Sequence, residues 1–430
     1  RRTLSDTKMT VALAPVMMFH DAVRGARIYP HHAASLQVLK LALSRPRQLQ
    51  ASPVRLNQIH SKLRIQTFPE EYDALLKAKV EHVQDMFQSK GLELPDPEVF
   101  ASAPENFRMR AEFRVWHEGE DCFYAMFDPE IPKKPVRVDA FPMGSKRINS
   151  LMSEVLSEVM KAGPVLKHKL FQINFLTTLS GDALVTMLYH KKLNDDWKEA
   201  MAPVCEKLDI AVVGRANKMK VVLGRDYVTE KLQVQGRELS YKQVEGTFCQ
   251  PNAGMCVNML EWALNVTKPN TLPPDTDLLE LYCGNGNFTI ALSPNFNRCL
   301  ATEISKVSVA AARENAVVNS TDNVTIVRMS SEDFTESLLN GVERVRLKDI
   351  DLPSHDFRTI LVDPPRAGLD QASREFAQSF ERIVYISCCP ETLCRDLHSM
   401  AETHIIERFA VFDQFPYTDH IEGGVYLIKR

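Results

Sequence analysis

At 430 residues, with 44% apolar and 25% charged side chains, the chain can bury more than one core, since single cores rarely grow past about 250–300 residues. No uninterrupted apolar run approaches the ~18–20 residues of a membrane-spanning helix, which argues against a membrane role. The nine cysteines are odd in number and scattered, with no Cys-x-x-Cys pair and no Cys/His cluster at zinc spacing, so a reduced compartment without a structural metal or iron–sulfur cluster is expected.

The net charge of −3 conceals two different parts. Residues 1–65 hold eleven Lys/Arg against two acids, which leaves 41 basic and 53 acidic groups in the remainder, near −12. A basic, acid-poor stretch such as "MMFHDAVRGARIYPHHAASL" has the composition of a mitochondrial or plastid transit peptide, and equally of an extension without a fold of its own. Residues 1–65 are therefore set outside the fold. The expected location is cytoplasmic, or organellar if that segment is an address.

The body begins with an amphipathic helix over 69–91, opened by Pro69 and two acids, closed at Gly91, with Leu75, Leu76, Val80 and Val83 at helical spacing. In "FRMRAEFRV" the period is two: Phe107, Met109, Ala111, Phe113 and Val115 alternate with Arg108, Arg110, Glu112 and Arg114. This predicts a strand with an arginine face outward, either solvated or tracking phosphates. "HEGED" turns it into "CFYAMFD", a hairpin, and a second hairpin turns at Ser180-Gly181-Asp182, with basic residues near both its ends (Lys167, Lys169, Lys191, Lys192). Residues 66–250 read as an α+β domain.

From about 252 strands alternate with helices. Strands are predicted at 278–282, 299–303, 324–328, 359–363, 383–387, 408–412 and 425–429, a doubly wound, Rossmann-like α/β sheet over 251–430. Ligands in such sheets sit beyond the carboxyl ends of the strands. There, "LLELYCGNGNF" (278–288) is a strand, a glycine turn and a helix start, and Glu303 closes the next strand, where a carboxylate can accept from both ribose hydroxyls. The absence of a third glycine and of a phosphate-binding lysine argues against a pyrophosphate nucleotide and for S-adenosylmethionine. In "LVDPPRAGLD" two prolines stiffen the loop that carries Asp363 and Arg366. "YISCCPETLC" places Cys388 and Cys389 after another core strand. A cysteine there is usually an inert core residue. Beside a cofactor turn and a stiffened acid, it fits methylation of an unactivated carbon, which needs a nucleophile.

At these residues the chain from about 66 to 430 resembles the tRNA (uracil-5-)-methyltransferases. The matching stretches are "FRMRAEFRVWHEG", "LFQINFLTTLS", "LYHKKL", "GTFCQPNAGM", "LLELYCGNGNF", "LVDPPRAGLD", "YISCCPETLC" and "VFDQFPYTDHIEGGV". The resemblance implies methyl transfer from S-adenosylmethionine to C5 of the T-loop uridine (position 54) of tRNA, by a monomer without metal. It implies Cys388 as nucleophile and Glu422 as proton acceptor, the flanking Gly423 and Gly424 allowing close approach. By the same resemblance Gln250, Tyr282, Asn287, Glu303 and Asp363 hold the cofactor, and Arg114 and Phe171 contact RNA. Alternation of Phe171 with Ile173 and Phe175 leaves a core phenylalanine as the competing reading. Cys389 stands where the family usually has Asn, and Cys394 reads as helix packing. The alternatives are an rRNA uridine-C5 methyltransferase, whose usual iron–sulfur cysteines or added β-barrel are not visible here, and a tRNA-folding module with secondary catalysis.

Overall fold

A computed structural model describes residues 65–128, 131–268, 276–418 and 420–430. Apart from Ile65, the segment expected to be a targeting or basic extension lies outside these residues. Helix α1 (Tyr72–Ser89) forms where the periodicity predicts one. Its two ends serve different cores: Tyr72, Leu75 and Leu76 pack under the N-terminal sheet, whereas Val80, Val83 and Phe87 pack under the C-terminal sheet. The short strand β1 (Glu98–Phe100) follows.

The N-terminal sheet is built from β2 (Arg110–Glu118), β3 (Asp121–Asp128), β4 (Ile131–Arg137), β5 (Leu170–Thr177), β6 (Ala183–Tyr189), β7 (Ala211–Ala216) and β8 (Met219–Leu223). Its spatial order is β4-β3-β2-β5-β6-β7-β8, antiparallel except for β6 with β7. Helices α2 (Lys146–Ala162), α3 (Pro164–Lys167) and α4 (Asp195–Leu208) contribute Leu151, Val155, Leu166 and Trp197 to the core that also holds Phe113 and Phe175. Ser145 and Asn194 cap α2 and α4 by accepting from Ile148 N and Trp197 N. Next comes a hairpin the sequence reading had not singled out, β9 (Tyr227–Val234) and β10 (Arg237–Val244). Its signal was present, a period-two run either side of Gln235-Gly236, both of which take positive φ.

The C-terminal half runs α5 (Ala253–Val266), β11 (Asp277–Leu281), α6 (Asn287–Leu292), β12 (Cys299–Glu303), α7 (Lys306–Val318), β13 (Val324–Arg328), α8 (Ser331–Asn340), β14 (Phe357–Val362), α9 (Gln371–Ala377), β15 (Arg382–Ser387), α10 (Pro390–Met400), β16 (His404–Phe412) and β17 (Glu422–Lys429). All seven predicted strands are present, in a sheet ordered β1-β16-β17-β15-β14-β11-β12-β13. Strands β11 to β15 are parallel and covered on both faces, which is why "DLLEL" is buried at every position. Strand β17 inserts antiparallel between β15 and β16. The direction of winding reverses between β11 and β14, and a crevice opens at their carboxyl ends. Strand β1 extends this sheet parallel to β16, so an N-terminal segment is built into the C-terminal half. Among the described residues no helix is long and apolar enough to cross a membrane.

Candidate active site

At the switch point a cleft is lined by Gln250, Tyr282, Gly284, Asn287 and Asp363, among others. The chain turns from β11 into α6 through three left-handed residues, Tyr282 (φ 64°), Gly284 and Gly286. A Cβ on Gly286 would lie 3.0 Å from Ile290 Cδ1. Tyr282 occupies a region costly for a residue with a side chain, and its hydroxyl accepts from Ser331 Oγ at 2.7 Å. Glu303 ends β12, its two oxygens accepting from Gly284 N (3.1 Å) and Ser305 N (2.6 Å). Carboxylate lone pairs remain there for a diol. Asn287 opens α6 and exchanges hydrogen bonds with the Cys256 thiol at 3.4 and 3.5 Å. Three carboxylates line the cleft, Glu230, Glu280 and Asp363, and among the described residues no lysine or arginine does. This donor set fits a ribose-bearing cation, as S-adenosylmethionine is, and not a pyrophosphate.

Beside the cleft, Asp363 follows β14, Cys388 follows β15 and Glu422 opens β17. Ser387 pairs with Gly423, so the next residues along the ladder, Cys388 and Glu422, come alongside each other. Burial, then the Glu422 and Asp363 carboxylates, push the Cys388 thiol up to about 12, with Arg366 opposing. Glu422 is pushed up to about 8 by burial and by Asp363, against a hydrogen bond from Gln414. Burial raises Asp363 to about 7.

Gln414, fully buried, was not singled out in the sequence. Its Nε2 donates to Gln250 Oε1 at 2.6 Å, so it links the cofactor cleft to Glu422. The loop that carries it is pinned from α1: Lys79 Nζ donates to Asp413 Oδ1 (2.6 Å), Phe415 O (2.9 Å) and His420 O (3.1 Å), and Tyr72 OH donates to Asp413 Oδ2. Arg366 Nη2 lies 2.9 Å from His420 Nδ1.

Gly423 and Gly424 serve packing, which corrects the expectation that they admit a substrate. A Cβ on Gly423 would stand 2.7 Å from Leu393 Cδ2, and one on Gly424 2.8 Å from Phe412 Cε2. Cys389 is the N-cap of α10 without a side-chain cap bond, and its thiol donates to Glu391 Oε2 at 3.2 Å. Cys394 is buried within α10. Among the described residues no cluster of three or more His, Cys, Asp or Glu could hold a metal.

Arg114 and Phe171 meet each other on the N-terminal sheet rather than at the cleft. The Arg114 guanidinium lies 3.9 Å from the Phe171 ring centroid, and His190 contacts the same ring at 4.2 Å. Phe171 is not in the core, because a register shift between Leu170 and Gln172 resets the alternation and leaves Ile173 and Phe175 buried instead. Arg110 in β2 and Arg108 just before it do not form the open face expected. Arg108 Nε donates to Arg110 O and its guanidinium sits over Phe415. Arg110 donates to Thr247 O and Glu112 Oε1.

The strand order and the carboxylate-lined cleft at the switch point define an S-adenosylmethionine-dependent methyltransferase. Residues 71–430 match the sequence profile of tRNA (uracil-5-)-methyltransferase, and the chain belongs to that family. The tRNA/tmRNA (uracil-C(5))-methyltransferases of Escherichia coli (strain IAI39) and Shigella flexneri are 51% and 50% identical to it over 367 residues, covering 84% of this chain and 98% of theirs. The crystal structure of the Pyrococcus abyssi tRNA (uracil-54, C5)-methyltransferase with S-adenosyl-L-homocysteine shares the fold, with a TM-score of 0.58 and 19% identity over 82% of this chain and 84% of that one.

Proposed function

We propose that this protein methylates C5 of uridine 54 in the T-loop of tRNA, acting as a monomer through a covalent adduct between Cys388 and C6. The observation that carries this reading is the register that sets Cys388 beside Glu422, next to a carboxylate-lined cleft. Gln250, Tyr282, Asn287, Glu303 and Asp363 would hold S-adenosylmethionine, which when bound supplies an electrophilic methyl group and a sulfonium charge that favours the thiolate. The Cys388 thiolate forms the S–C6 bond, and the C5–C6 π electrons move onto C5 as an enolate that would take up the methyl as its bond to the sulfonium breaks, leaving S-adenosylhomocysteine. Glu422 then removes the C5 proton, C5=C6 re-forms, and the S–C6 bond breaks to return the thiolate.

A base stacked inside a loop is out of reach of this chemistry, so the uridine must be extruded. Arg114 and Phe171 would take the RNA: both are half-buried on the N-terminal sheet, with the guanidinium over the ring, and an aromatic ring can stack on an extruded base. The basic segment 1–65 would act either as an organellar address or as an extension with no part in catalysis; a reporter fused to it that enters an organelle would favour the first, and one that stays in the cytosol the second.

The adduct is the test. A T-loop RNA carrying 5-fluorouridine, which has no C5 proton to lose, should remain bound to Cys388 on a denaturing gel, and Cys388→Ala should form no adduct. Linkage at Cys389 would invert the assignment. Labelled methyl from a mixed RNA pool should appear in tRNA; label in ribosomal RNA would favour the rRNA alternative.

A further inference from the structure

We infer that Glu230 is the counter-ion for the ammonium at the amino-acid end of S-adenosylmethionine. Strand β9 forms one wall of the cleft through Glu230 and Leu232. Directly across the hairpin from Glu230 is Tyr241, whose hydroxyl donates to Asn287 O at 2.9 Å, at the start of α6. The Glu230 side chain is 1% exposed. Its Oε1 accepts from Leu179 N (2.9 Å) and Lys231 N (3.1 Å), while Oε2 has no hydrogen-bond partner among the described residues. A buried carboxylate oxygen left this way is costly unless something that binds the cleft satisfies it.

The other carboxylates there are occupied or placed elsewhere. Glu280 accepts from the Thr289 hydroxyl, and Asp363 acts on Cys388 and Glu422 at the transfer end. Glu303 stands with Gly284 and Ser305 at the ribose end. With the ribose there and the sulfonium near Asp363, the amino-acid end reaches the region of Gln250, Asn287 and Glu230. Burial pushes the Glu230 carboxyl up to about 7 despite its two N–H donors, and a cation seated beside it would bring it back down.

The inference rests on the cofactor lying in this cleft, as proposed above. The test is calorimetric binding of S-adenosylhomocysteine and of its analogue with hydrogen in place of the amino group. Wild type should prefer S-adenosylhomocysteine by roughly tenfold to a hundredfold, the range for a charged hydrogen bond. Glu230→Gln, which keeps an acceptor for Leu179 N, should abolish that preference and leave the analogue's affinity unchanged. Glu303→Ala should weaken both ligands alike. Equal losses for both ligands in Glu230→Gln would reduce Glu230 to an anchor for the Leu179 turn, and no preference in wild type would refute the inference even if the variant failed to fold. If Glu303→Ala weakens neither ligand, the placement of the cofactor fails instead.

Discussion

At the scale of single residues, the carboxyl proposed as the base is held at a cost to stability. Glu422 has its folded pKa raised to about 8, above the ordinary glutamate value. The stability that comes from its neutral form is therefore present below the unfolded pKa and is lost as pH rises through about 8. Glu422→Gln cannot ionise, so its stability advantage over wild type should widen by about 2–4 kcal/mol between pH 5 and 8.5. Denaturant melts at the two pH values measure this, and a constant gap would mean that Glu422 ionises freely. The same variant should accumulate the covalent RNA adduct, because elimination needs the base and addition does not. Cys389 is a second case. Asparagine is a preferred N-cap and cysteine at the head of α10 makes no cap bond, so Cys389→Asn should retain activity and raise the melting temperature through about 0.5–2 kcal/mol. Loss of methyl transfer in that variant would assign the second thiol a part in the reaction. Cys388 was legible from its place after a core strand beside a proline, whereas Gln414 was not, because nothing local distinguishes a buried glutamine that bridges two sites from one on a loop.

Among elements, the decisive contact is between α1 and the loop joining β16 to β17. The Lys79–Asp413 pair is almost fully buried, and removing one partner of such a pair leaves an uncompensated charge, at about 3–5 kcal/mol. Lys79→Met should lose that much in urea denaturation and should also lower the methylation rate, since the loop it pins carries Gln414 and leads to Glu422. Pairing it with Asp413→Leu should restore most of the stability, because the orphaned charge is gone. A single variant as stable as wild type would show that the loop holds itself. Helix α1 could be predicted from its periodicity, but not that its two ends serve two cores. Both faces of that choice look equally apolar in sequence. The bulge in β5 is similar: strict alternation assigns Phe171 to the core, and one inserted residue moves it to a half-buried position.

At the scale of the whole molecule, the body near −12 means that attraction to RNA must be local. Arg114→Ala should weaken tRNA binding and reduce the slope of log affinity against log salt by roughly one unit, the effect of one lost phosphate contact. Binding isotherms across a salt series test this, and an unchanged slope would remove Arg114 from the RNA surface. By itself the sequence determined the order of strands and helices, the α/β class and the residues at the carboxyl ends of β11, β12, β14 and β15. Those features follow from local periods of hydrophobicity and from loops that immediately follow core strands. Only the tertiary structure decided that β17 returns antiparallel between β15 and β16, and so brings Glu422 to Cys388. It likewise decided that Glu230 and Lys79, from distant segments, reach the cofactor cleft and the Gln414 loop. Strand register and the partners of buried charges are set by long-range pairing, in which each polar group must find a donor or acceptor once water is excluded, and no local pattern encodes which one it finds.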